Sequence, residues 1–130
     1  MRIPFLFAAL IALPAMSATA RDRPADPLSP IPGARAETCI PLSGIRESRV
    51  RDDSTIDFYM RGGRIYRSTL PNACPQLGFE QAFGYGTSLA QLCSTDIITV
   101  IRRGGGPVAR GASCGLGTFQ PMTKTAAKSR

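Results

Sequence analysis

Apolar and polar residues alternate with a period of two through much of the chain's middle. In "TIDFYM", Ile56, Phe58 and Met60 alternate with Thr55, Asp57 and Tyr59. That is the pattern of a strand with one face buried. "RIYRSTL" is rich in β-branched and aromatic residues and stops at Pro71, which reads as a second strand. Between the two lies Gly62-Gly63. Glycine reaches positive φ without steric cost, so "MRGGRI" predicts a hairpin tip. A two-residue loop sets Met60 opposite Ile65 and Tyr59 opposite Tyr66, whereas a bulged three-residue loop brings Phe58 and Tyr66 onto one face. "GIRESRVRDD" carries Ile45 and Val50 on opposite parities and predicts a bulged strand. "DIITVI", Asp96 to Ile101, is apolar on both parities apart from Thr99 and predicts a central strand covered on both sides. A last short strand is expected near Gly117 to Gln120. "LGFEQAFGYGTSLAQL" has glycines at 78, 84 and 86 and room for one helical turn at most. The chain therefore reads as all-β: a small twisted antiparallel sheet, or a partly closed β-barrel.

The ends differ from this middle. "MRIPFLFAALIALPAMSATA" has a basic start, a short apolar run and small residues up to Ala20, which predicts a secretory signal peptide over 1–20 cleaved after Ala20. The apolar run is too short for a membrane-spanning helix, and no transmembrane segment is expected in the chain that remains. "RDRPADPLSPIPGARAE" has prolines at 24, 27, 30 and 32, and predicts an extended Pro-rich linker over 21–36. A single domain over 37–121 follows, then a basic flexible tail over 122–130.

The four cysteines are Cys39, Cys74, Cys93 and Cys114, with no C-x-x-C and no histidine in the chain. Zinc sites and thioredoxin-like centres need closely spaced ligands or thiols, so two structural disulfides in an oxidising compartment are the expectation, with neither metal nor cofactor. Three connectivities exist. Cys39–Cys114 with Cys74–Cys93 is the expected one, because it ties the domain's start to its end and staples the central loop. A loop of about 20 residues closed in this way contributes about 3 kcal/mol in the chain-entropy view.

The formal net charge is +7 over 130 residues. Residues 122–130 hold three basic residues and no acid, whereas 37–121 set nine arginines against seven acids. A basic total is therefore weak support for a polyanion partner. The lack of repeated RGG units and the expected export speak against nucleic acid. "RGGR" has neither the lysine with Ser or Thr and following helix of a P-loop nor the spacing of a dinucleotide loop.

The missing histidine removes Ser-His-Asp and Cys-His catalysis. Asp52, Asp53 and Asp96 remain as acid–base candidates for a carboxylate-dependent hydrolase, yet "DDST" and "STD" read more simply as turns. "RDDSTID" lacks the glycine and glutamate of an EF-hand calcium loop. Arg46, Arg49, Arg51, Arg61, Arg64 and Arg67 share two or three strands with Glu47, Asp52, Asp53 and Asp57. Cross-strand ion pairs are the bland expectation; an anion-binding face needs these arginines to separate from the acids. Arg61, Arg64 and Arg67, with Arg102, Arg103 and Arg110 of the loop "RRGGGPVARGASC", are the anion-binding candidates, and Tyr59 and Tyr66 offer a stacking surface.

The stretches "CIPLSGI", "DDSTIDFYMRGGRIYRSTLPNACPQL", "QLCSTDIITV" and "SCGLGTFQP" together resemble a group of uncharacterised small envelope proteins of proteobacteria, classed as a domain of unknown function. The resemblance covers most of residues 39–121. It implies a compact domain in the periplasm or outside the cell and brings no catalytic residue. Some members of that group are lipoproteins; the lack of a cysteine at the cleavage site here points to an unanchored form. The functional expectation is a non-enzymatic envelope protein that binds a protein partner or serves an assembly. The alternative is a binder of anionic envelope components, lipopolysaccharide or anionic lipid, through the loop arginines.

Overall fold

The computed structural model of the protein describes residues 25–125. The expected signal peptide and cleavage site, the first residues of the Pro-rich stretch and the last five residues lie outside the described residues. The strands are β1 (Leu28–Pro30), β2 (Cys39–Pro41), β3 (Ile45–Asp52), β4 (Thr55–Met60), β5 (Ile65–Thr69), β6 (Phe83–Tyr85), β7 (Gln91–Cys93), β8 (Ile97–Arg102), β9 (Ala109–Gly115) and β10 (Phe119–Lys124). One helical turn, α1 (Leu77–Glu80), lies between β5 and β6. All pairings are antiparallel. They form a five-stranded sheet in the order β1-β10-β5-β4-β3, a three-stranded sheet β6-β8-β9 and a two-stranded ladder β2-β7, with no closed barrel.

The β4–β5 hairpin takes the bulged register: Phe58 opposes Tyr66 and Tyr59 opposes Ile65. Its loop is Arg61-Gly62-Gly63. The Gly63 N–H donates to the Met60 carbonyl at 3.2 Å, and Gly62 and Gly63 have φ of 89° and 94°. A side chain in that region of backbone space costs about 1–2 kcal/mol, which is why both positions are glycine. β3 has the expected irregularity, with register shifts between Ile45 and Glu47 and between Val50 and Asp52.

The core forms where the inner face of the large sheet meets the smaller sheets. Ile56, Phe58 and Phe119 pack with Ile40, Leu92, Ile98 and Val100, all fully buried. Phe58 meets Phe119 edge-on at 5.6 Å and Phe83 at 6.3 Å. β8 is the central strand of its sheet, but it is covered on one side alone: Ile98 and Val100 are buried, whereas Ile97 is 53% exposed.

Both segments read as flanking the domain contribute to it. Leu28–Pro30 pairs with Met122–Lys124, so the last strand runs beyond the expected 117–120 into the expected tail. Leu28, Ile65 and Met122 make a second, smaller cluster on the outer face of the five-stranded sheet, with Tyr59 against it. Prolines at 27 and 30 are tolerated because β1 is an edge strand, where a missing N–H costs no ladder bond.

The disulfides are Cys39–Cys93 and Cys74–Cys114, not the pairing expected from the sequence. β2 pairs with β7 so that Cys39 stands directly opposite Cys93, with Cα atoms 4.0 Å apart. The start of the domain is tied to its end by backbone bonds instead: Glu37 and Phe119 exchange N–H···O bonds of 2.8 and 2.7 Å. Cys74 is thereby left to reach Cys114 on β9, which joins the loop after β5 to the three-stranded sheet. Two disulfides place the described chain in an oxidising, non-cytoplasmic compartment.

Candidate anion-binding groove

The outer face of the five-stranded sheet is built around Asp57. In the sequence it alternates as a solvent-facing residue, yet it is 0% exposed. Burial of a carboxylate requires partners, and two arginines supply them. Arg51 Nε donates to Asp57 Oδ2 at 2.6 Å; Arg67 Nε donates to Oδ1 at 2.7 Å and Arg67 Nη2 to Oδ2 at 3.0 Å. Arg67 also donates to Asp26 at 2.6 and 3.2 Å, which anchors the residues entering β1. The hydrogen bond from Arg67 holds the Asp26 carboxyl below its usual range, and the bonds to Asp57 raise Arg51 and Arg67 above theirs.

From this buried centre the order extends toward the surface. Arg51 Nη2 donates to the Tyr59 hydroxyl at 3.0 Å. The Arg49 guanidinium sits 4.7 Å from the centre of the Tyr59 ring, in cation–π geometry. Its Nε and Nη2 donate to the two Glu47 oxygens at 2.8 and 3.3 Å, so Glu47 is held below its ordinary value by that pair.

Above Tyr59 lies an open groove of about 690 Å³. The start of β1 with Pro27 and Leu28, and the end of β10 with Lys124 and the following Thr125, form one wall; β3 and the hairpin tip supply Arg46, Arg49, Arg51 and Arg64. Five cations and no carboxylate line it. Arg49 and Arg51 are paired from beside and beneath, whereas Arg46, Arg64 and Lys124 form no salt bridge among the described residues. On this side of the sheet arginines and acids are interleaved, with Glu47, Asp57 and Asp26 paired to Arg49, Arg51 and Arg67, and only the groove lining itself is free of carboxylates. The groove offers an anion cations and one hydroxyl donor, that of Tyr59; the Thr125 hydroxyl donates to the Asp26 carbonyl.

The six arginines expected to bind anions are not brought together. Arg64 lines the groove, and Arg61 sits exposed at the hairpin tip. Arg67 is taken up by Asp57 and Asp26, with 15% of its side chain exposed. Arg102, Arg103 and Arg110 belong to the three-stranded sheet and its loop. Arg110 borders a separate shallow cavity with Tyr85 and Ile101, and the Arg103 N–H donates to Glu80. Tyr66 is core, 5% exposed, and offers no stacking surface. The cross-strand ion pairs expected from the sequence are present, Arg51 and Arg67 with Asp57, and Arg49 pairs with Glu47 along its own strand; what the sequence did not show is that Arg46, Arg49, Arg51 and Lys124, the last read as part of a tail, line one groove. The available signal was the odd-numbered run Glu47, Arg49, Arg51, which shares the face of Asp57 and Tyr59.

The acidic candidates are turn residues. Asp52 Oδ1 accepts from the Ser54 N–H at 2.8 Å, Asp53 Oδ1 from Gly78 at 2.8 Å and Asp96 Oδ2 from Cys93 at 2.7 Å. Among the described residues no group of three or more His, Cys, Asp or Glu is arranged to hold a metal ion, and no helix is long and apolar enough to cross a membrane. Comparison with family models, with curated proteins and with solved structures returns no match.

Proposed function

We propose that this protein is a non-enzymatic binding module of the cell envelope, periplasmic or secreted, whose groove on the five-stranded sheet takes an anionic envelope component such as an anionic lipid or lipopolysaccharide. The observation that carries the reading is the groove lining: Arg46, Arg49, Arg51, Arg64 and Lys124 with no carboxylate among them. The disulfides, the secretory pattern of residues 1–20 and the resemblance to small envelope proteins support the compartment. A basic residue near an anionic surface contributes about 1 kcal/mol. The three cations without carboxylate partners therefore give about a hundredfold preference for anionic over neutral vesicles. The test is a salt series with oxidised protein on phosphatidylglycerol and phosphatidylcholine vesicles, with and without lipopolysaccharide. Binding confined to anionic surfaces and weakening with salt is expected. No binding at low salt removes the reading.

A second reading, a protein partner or an assembly role, is favoured by a different observation. Phe79, Leu89, Ile97 and Val108 are 53–86% exposed; Phe79 lies on α1, Leu89 between β6 and β7, Ile97 on β8 and Val108 in the β8–β9 loop. Exposed apolar side chains of this size mark interaction surfaces when they are contiguous. Loss of a co-purifying partner in a Phe79→Ser, Val108→Ser variant, with groove binding intact, is the result that selects this reading.

A further inference from the structure

The groove holds two kinds of cationic centre. One is rigid. Tyr59, Arg49 and Arg51 lock one another: Arg51 donates to the Tyr59 hydroxyl at 3.0 Å, Arg49 stacks on the ring at 4.7 Å, and Glu47 and Asp57 hold the two guanidinium groups. Arginine has no acceptor, so the Tyr59 oxygen is the acceptor in that bond. Its own hydrogen is left with no acceptor among the described residues. Tyr59 thus has an O–H to donate, flanked by two positive charges already oriented. The second kind is unpaired. Arg46, Arg64 and Lys124 line the same groove without a carboxylate partner among the described residues.

A single small oxyanion needs the first centre alone. It accepts the Tyr59 hydrogen and meets two guanidinium groups, which is the donor set that phosphate oxygens favour. The other three cations then remain uncompensated at the rim. Their net positive charge in a groove of about 690 Å³ is complemented by a second anionic group on the same molecule. We propose that the groove recognises a molecule bearing two separated phosphate groups, one held at Tyr59, Arg49 and Arg51 and the other at Arg46, Arg64 and Lys124. The inference rests on the anion-binding reading of the groove and adds the number of anionic groups on the ligand.

The test is calorimetric titration of oxidised protein with four soluble probes at one ionic strength: inorganic phosphate, glycerol 3-phosphate, pyrophosphate and fructose 1,6-bisphosphate. The expected order places the bisphosphate at least about tenfold tighter than either monophosphate, and tighter than pyrophosphate, whose charges are adjacent. The Arg46→Ala, Arg64→Ala double variant removes that advantage, weakening the bisphosphate by about tenfold more than it weakens either monophosphate. Tyr59→Phe weakens every probe by about tenfold, the loss of one hydrogen bond to a charged group. Pyrophosphate binding as tightly as the bisphosphate overturns the two-centre inference. So does equal binding of mono- and bisphosphate, and in both cases the anion-binding reading stands. No binding of any probe, together with no binding to anionic vesicles, overturns both. Tyr59→Phe and the double variant are first checked for an unchanged thermal midpoint, since none of the three side chains belongs to the main core.

Discussion

Asp57→Asn is the substitution that most directly tests the physical account of the outer face. The side chain keeps its shape, but an amide N–H₂ now faces arginine donors where a carboxylate oxygen stood. Three hydrogen bonds to Asp57 converge from Arg51 and Arg67, whose side chains are 30% and 15% exposed. Removing one partner of a buried ion pair costs about 3–5 kcal/mol, because the remaining charge is stranded. The lower end applies here, since Arg67 retains Asp26 and Arg51 reaches solvent. At about 2.1 cal/mol/K of unfolding entropy per residue, a domain of about 100 residues loses about 14 °C of melting temperature for 3 kcal/mol. Thermal and urea unfolding followed by circular dichroism measure this. Asp26→Asn is the control: Asp26 is half exposed, and its loss costs about 1 kcal/mol at most. Replacing Arg51, Asp57 and Arg67 together by leucine restores much of the stability, because no charge is left buried. If Asp57→Asn destabilises no more than Asp26→Asn, Asp57 does not organise the face, and the rigid centre at Tyr59 loses its foundation.

Three further outcomes are expected. Non-reducing peptide mapping, with the chain cut between Cys74 and Cys93 at Glu80, recovers Cys39 linked to Cys93 and Cys74 linked to Cys114; Cys74→Ala with Cys114→Ala, which opens a loop of 40 residues' separation, costs about 4 kcal/mol in urea unfolding. Gly117→Ala drives a Cβ into the Thr69 carbonyl oxygen beside the buried Ser68, and about 1–3 kcal/mol of stability is lost on thermal unfolding. Asp26 is depressed in the folded chain from its ordinary value of 3.8, so its contribution is present above that pH and is lost as pH falls through the lower folded value; the melting difference between the parent chain and Asp26→Asn, constant near neutrality, closes below about pH 3.8.

The elements written in local pattern were legible in the sequence. The β4–β5 hairpin follows from alternation and two glycines, the bulges of β3 from a broken parity, and the turns at Asp52, Asp53 and Asp96 from residue type. What stayed hidden depends on residues far apart in the chain. β2 and β7 have three residues each, too few to announce a partner, and their register alone decides which cysteines meet. The outer face was misread for the same reason. Asp57 and Tyr59 alternate correctly for a solvated side, and nothing local says that a Pro-rich stretch returns to cover it. That return rests on one apolar side chain, Leu28, packed on Ile65 and Met122, and on the backbone bonds between β1 and β10. Once it is made, Asp26 reaches Arg67, which with Arg51 holds the buried Asp57. Leu28 then packs beside Tyr59, and Lys124 is lifted from a tail to the rim of the groove. The candidate site is therefore a consequence of the edge strand, and a variant that weakens β1, such as Leu28→Ser, is expected to reduce anion binding before it disturbs the main core. Nitrogen-15 shift mapping separates the two: losses confined to β1, β10 and the groove agree with this dependence, whereas simultaneous change at Phe58 and Ile98 refutes it.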